Sequence, residues 1–235
     1  MAEAANETST LKRVTNFLRS KVASPVISYK NLRKLIGILG MLLPAVCYFG
    51  GKLFAGLALQ RSISFYYHTN VRDAFVGLLV AVGMFMVTYK GHENIDNIVS
   101  HIIGLAALGI AIFPCLFSAS STSPVGFFQI NPKLSNIIHL SSAGTFFFLL
   151  AMNSIFLFTL TDKSKEMTDN KKTRNKIYVA CGVIILLCIL ALIVIGLTMD
   201  QATIDKLSLT FWLEMVMLNA FGVSWLVKGE AIFGD

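Results

Sequence analysis

The stretch IYVACGVIILLCILALIVIGL, residues 177–197, runs for 21 positions without a charged or amide side chain. At about 1.5 Å per residue, a helix of that length crosses the ~30 Å hydrocarbon core of a bilayer. A helix apolar on all sides must be buried in protein or in lipid. The rest of the chain decides for lipid: 55% of its 235 residues are hydrophobic and 14% are charged, where a soluble domain has roughly 25% charged. The expectation is an all-α, polytopic helical membrane protein.

Six apolar runs, at about 35–58, 74–89, 98–117, 134–160, 177–199 and 207–227, read as spans of a single transmembrane domain, 35–235. The second is short, and Pro44 and Gly51 are positioned to bend the first. Residues 1–34 form a basic arm with no long apolar core and no small-residue cleavage site, so a cleaved signal peptide is not expected. Within the arm, Leu11, Val14, Leu18 and Val22 recur at helical spacing between basic residues, with Thr10 as a candidate cap. That pattern fits an interfacial helix on anionic lipid head groups, and equally a solvated basic arm.

Lysine and arginine set the orientation. Fifteen of the 20 fall in the arm, near residue 90, in 161–176 and at Lys228, while Lys52, Arg61, Arg72, Lys133 and Lys206 fall on the other side. Six spans with both termini cytoplasmic satisfy the positive-inside rule, and the expected location is the inner (plasma) membrane. The same bias accounts for the net charge of +7, which has no interleaved aromatic platform, so no nucleic-acid partner is expected. Cys47, Cys115, Cys181 and Cys188 all lie in apolar stretches without a C-x-x-C pair or metal spacing, and read as small packing residues.

Polar residues inside the spans carry the chemistry. Asp, Glu and His are expensive in a bilayer and face a cavity or a partner. In this topology SISFYYHTNVRDAF, residues 62–75, lies at the outer face, and Asp73, His139 and Glu214 enter their helices from that side. With His68 they can converge in the outer half, and Arg72 or His139 can pair Glu214. Along the fourth span Ser135, Asn136, His139, Ser142, Ala143, Phe146, Leu150, Asn153 and Ser154 share one face at about 100° per residue. Along the second, Asp73, Gly77, Ala81, Met84 and Thr88 make a narrow small-residue face fit for close packing. Asn70 is a candidate cap for that helix, with Asp73 at its positive end. Tyr66 and Tyr67 read as an interfacial aromatic belt. The segment YKGHENIDNIVSH and the tail VKGE add an inner set, Lys90, His92, Glu93, Asp96, His101, Lys228 and Glu230, read as a solvated loop with ion pairs.

The strings SISFYYHTNVRDAFVG, FWLE and AFGVSWLVKGE resemble those of a group of bacterial polytopic membrane proteins of unassigned activity. Ser64-x3-His68 followed by Asp73 is more remotely similar to the membrane hydrolase superfamily of alkaline ceramidases and progestin/adipoQ receptors. That resemblance implies a zinc site cleaving amide bonds in lipids. The chain departs from it in having six spans instead of seven, no late H-x3-H pair and a shorter histidine-to-aspartate step.

Three functions follow. A metal-dependent hydrolase acting on a lipid or amphipathic substrate at the outer leaflet would use His68, Asp73 and His139 as Zn2+ ligands, Glu214 as base and Ser64 to polarise the substrate. A small transporter or ion pathway would use Glu214, His139 and Asp73, with Asn153 and Ser154 continuing inward. A non-catalytic assembly or effector subunit would use polar groups only as helix contacts, and a close homo-oligomer with glycine-rich contacts at Gly77 or Gly104 would favour this reading. The bilayer is the partner common to all three.

Overall fold

The computed structural model describes residues 28–91, 94–161 and 167–232. The interfacial helix expected at 11–22, together with His92 and Glu93, lies outside them. Every regular element in the described residues is helical. In chain order these are α1 (Tyr29–Ala55), α2 (Arg72–Thr88), α3 (Asn94–Ile112), α4 (Pro132–Leu157), α5 (Asp169–Thr198), the short α6 (Gln201–Lys206) and α7 (Leu209–Lys228). A 3-10 turn, Ser64–His68, precedes α2.

Five of these, α1, α3, α4, α5 and α7, are long and apolar enough to cross a membrane. The sixth expected span, α2, has 17 residues and is fully helical, but is shorter than the rest. Each long helix packs on its chain neighbour, with short α6 between α5 and α7, and α7 closes against α1. Side chains of α7 reach inward: Phe221 meets Phe146 of α4, and Trp225 meets Tyr89 and Phe158. The α5 stretch read as lipid-facing does expose Val183, Leu187, Leu190, Val194 and Leu197, while Tyr178, Cys181, Ile185 and Cys188 turn inward.

Local chemistry explains the boundaries. Ser28, Thr168 and Asp200 accept from backbone amides three residues on, starting α1, α5 and α6. Asn131 caps α4 ahead of Pro132, whose missing N–H is harmless at a first turn. Pro44 lies inside α1, and a π turn, Val46–Gly50, follows it before the helix resumes at Gly51. The irregularity expected near Pro44 and Gly51 takes the form of this wider turn. Gly56, at φ 61°, ends α1 in the left-handed conformation glycine adopts without strain.

Several sequence expectations are corrected. α1 begins at Tyr29, inside the supposed arm, and α5 at Asp169, well before 177. The third span stops at Ile112, and 113–117 is irregular. The face of α2 that packs is Phe75, Leu79, Val82, Gly83 and Met86. Gly77 meets nothing within 4 Å, whereas a Cβ on Gly83 would sit 3.0 Å from Gly104 O. Gly104 is therefore consumed within the bundle, which withdraws it from any contact between copies. A second crossing of this kind brings Gly37 of α1 onto Gly222 of α7. Small residues let backbones approach where lipid supplies no hydrophobic force.

Candidate functional site

At one end of the bundle, called the collar end, α3 finishes and leaves carbonyls with no intrahelical partner. In a bilayer such groups must be satisfied by the protein itself. Four side chains from two segments do this in sequence. His139 Nδ1 donates to Phe113 O at 2.7 Å and Ser135 Oγ to Pro114 O at 2.8 Å. His68 Nε2 donates to Cys115 O at 2.7 Å. Arg61 Nη2 donates to Leu116 O at 2.8 Å and to Phe117 O at 2.7 Å. The Leu116 amide then donates to Asn136 Oδ1 at 2.8 Å.

Because a carbonyl only accepts, these bonds place the hydrogen on His139 Nδ1 and on His68 Nε2. His139 is 1% exposed. His68 lies outside the spans, and burial, with Arg61 and Arg72 nearby, holds its pKa below 6.5 against the opposing pull of the Cys115 carbonyl. Cys115 also lies outside them; burial first, then the neighbouring Glu214, push its thiol up to about 12, so it stays protonated and donates to Ser64 O at 3.5 Å.

Glu214 serves a different element. Its Oε2 accepts from the Ile63 amide at 2.6 Å, with the Ser64 amide beside it. It therefore caps the start of the 3-10 turn that carries His68. A backbone bond from Phe211 N to Arg61 O, 3.2 Å, runs alongside. Arg61 also reaches Asp205 Oδ2 at 3.0 Å and stacks 4.0 Å over the Phe65 ring. The loop after α1, the end of α3 and the α6–α7 corner are thus joined through one guanidinium.

The proposed site residues are only partly brought together. His68 and His139 bond to carbonyls two residues apart, and Ser64 is adjacent through Cys115. Glu214 meets Ile63, not Arg72 or His139. Asp73 stands away: its carboxylate is 98% exposed and faces Arg72 Nε at 3.7 Å. Among the described residues, no three His, Cys, Asp or Glu side chains are grouped to hold a metal. Asn70 does not cap α2, whose N-cap is Val71 without a side-chain bond; Thr69 Oγ1 accepts from the Val71 amide instead. Tyr66 is no belt residue, being 1% exposed and packed toward Phe211. Tyr67 is half-buried beneath Arg72.

Above the collar, Tyr67, His68, Thr69, Asn70 and Arg72 face the 124–129 loop across an open basin of about 730 Å3. The α4 face expected to be inward is inward along its length. Between Ser142 and Asn153, however, it presents Phe146 and Leu150, so the polar groups do not form a continuous line. At the opposite end Ser154 Oγ donates to Tyr178 O and pairs with Ser224 Oγ at 2.6 Å. Glu230 pairs with Lys30, as expected of an ion pair in this set, while His101 is exposed on α3.

Arg61 is the residue that pattern reading missed. It was counted only for topology, yet it is one of five basic residues that the expected orientation puts on the disfavoured side. A cation kept there against the charge bias signals a contact.

Fold and collar together define an all-helical protein with the make-up of a multi-pass membrane protein. Compared with known families, curated proteins and solved structures, the chain matches none.

Proposed function

We propose that this is a non-catalytic multi-pass protein of the inner (plasma) membrane, with both termini cytoplasmic, that receives a polar ligand at its outer face. In this reading α2 is the sixth span and the basin is the docking point. The observation that carries it is the run of five carbonyls, Phe113 to Phe117, each accepting from a collar side chain. The residues that looked reactive have a structural task that a membrane fold requires of some group. The basin volume lies within the ~300–1,000 Å3 of small-molecule sites, and its lining combines an aromatic wall with a few polar groups. The lysine and arginine bias supports the orientation.

One observation favours the hydrolase as a second reading. Metal-binding histidines commonly donate their other ring N–H to a carbonyl, as His68 and His139 both do. Elemental analysis of detergent-purified wild type and of His139→Ala separates the two. No stoichiometric metal, together with a lowered Tm for His139→Ala, supports the clamp. About one zinc per chain, lost in the variant, would replace it with the hydrolase.

A further inference from the structure

We infer that the end of the bundle opposite the collar carries a binding site for a phosphate group, built on Arg33 of α1 and Lys228 of α7. Arg33 is 9% exposed. Among the described residues its guanidinium contacts neutral groups: Nε donates to the Tyr89 hydroxyl at 3.2 Å and Nη1 to Lys228 O at 3.5 Å, with the Tyr89 ring 5.5 Å from Cζ. Lys228 Nζ lies 4.9 Å over the Phe158 ring. Neither cation has a carboxylate within 4.0 Å among the described residues.

An aromatic wall, Tyr89–Trp225–Phe158–Tyr178, with neighbouring centroids 5.1–5.4 Å apart, holds these groups in place. One π turn before Phe158, Asn153 is 3% exposed and its Nδ2 donor has no partner among the described residues. Positive-inside topology asks for basic residues in loops; it does not ask for an arginine to be withdrawn from water. Buried charge is ordinarily paired, and two cations held on rings that share Trp225 as a neighbour, without a carboxylate among the described residues, match an oxyanion. Basic pockets between helices at a membrane surface take lipid phosphates in this way. The site lies within the helical bundle. It does not depend on the reading of the collar.

The test is thermal unfolding of the full chain in neutral detergent, with three additions compared: phosphatidylglycerol, phosphatidylcholine, and inorganic phosphate against chloride at equal ionic strength. Phosphatidylglycerol should raise the wild-type Tm by about 3 °C or more. The rise should be lost in Arg33→Gln and in Lys228→Met, and kept in Lys30→Gln, a cation on the same helix outside the cluster. A rise with phosphatidylglycerol alone assigns a lipid head group, and one with inorganic phosphate as well assigns the free anion. No rise in wild type overturns the site, as does an equal rise with phosphatidylcholine or an unchanged rise in Lys228→Met. The last variant carries the test should Arg33→Gln not fold.

Discussion

The Glu214 carboxylate accepts from the Ile63 amide at 2.6 Å, tying the second turn of the last helix to the loop that leaves the first. A carboxylate within an apolar span thus completes a backbone, and its removal is felt in the element it caps. Glu214→Ala should lower stability by about 1–3 kcal/mol, because the Ile63 N–H is left without an acceptor. Glu214→Gln keeps an oxygen and should lose less. Unfolding of both variants in one detergent, followed by tryptophan fluorescence, gives the order; equal losses would mean the charge itself matters.

Arg61 is held more widely, by Asp205, Leu116 O, Phe117 O and the Phe65 ring. Arg61→Ala should therefore destabilise by about 2 kcal/mol or more. Arg61→Lys should not rescue it, since one ammonium cannot reach two carbonyls and a carboxylate in the geometry of a planar fork. A lysine variant as stable as wild type would show that the carbonyls find other donors.

The two glycines of α2 should answer oppositely. A Cβ on Gly104 of α3 would stand 2.7 Å from Gly83 O and 2.9 Å from Val87 N, both backbone atoms, so Gly104→Ala must push α2 and α3 apart. A loss of about 1–3 kcal/mol is expected, and Gly83→Ala should lose less, its contact with Gly104 O being 3.0 Å. Gly77→Ala meets open space and should be neutral or stabilising by up to about 1 kcal/mol. Midpoints of unfolding for the three variants check the order.

His68 supplies a pH dependence. Burial holds its folded pKa below the ordinary 6.5. The unfolded chain then binds a proton that the folded one refuses, so stability is full above about pH 6.5 and falls as pH drops toward the lowered folded value. Protonation does not break the Nε2–H bond to Cys115 O; the penalty comes from charging a buried ring near Arg61 and Arg72. Tm measured from pH 8 to pH 5 should decline less steeply in His68→Gln than in wild type.

Much of the architecture was legible in the chain. Apolar runs long enough to cross a bilayer announce themselves in composition alone, and the inward face of α4, from Ser135 to Ser154, follows from 3.6-residue periodicity. The site was only half legible. Sequence singled out His68, His139 and Glu214 because such residues are rare in spans, but rarity does not say whether a group meets a metal or a carbonyl. It also promoted Asp73, which tertiary structure leaves exposed and apart from the collar, and passed over Arg61 and Arg33, whose charges looked like topology markers.

Amino-acid order alone determined that this chain is helical with the make-up of a multi-pass membrane protein, because hydrophobicity and backbone hydrogen bonding are local demands that each segment meets by itself. Which glycine of α2 lies against a neighbour, and which cation is buried, depended on helix rotation and on where α3 ends. Those are set only when α7 closes on α1, since a side chain's partner there comes from a segment remote in the chain, such as Ile63 for Glu214, 151 positions away.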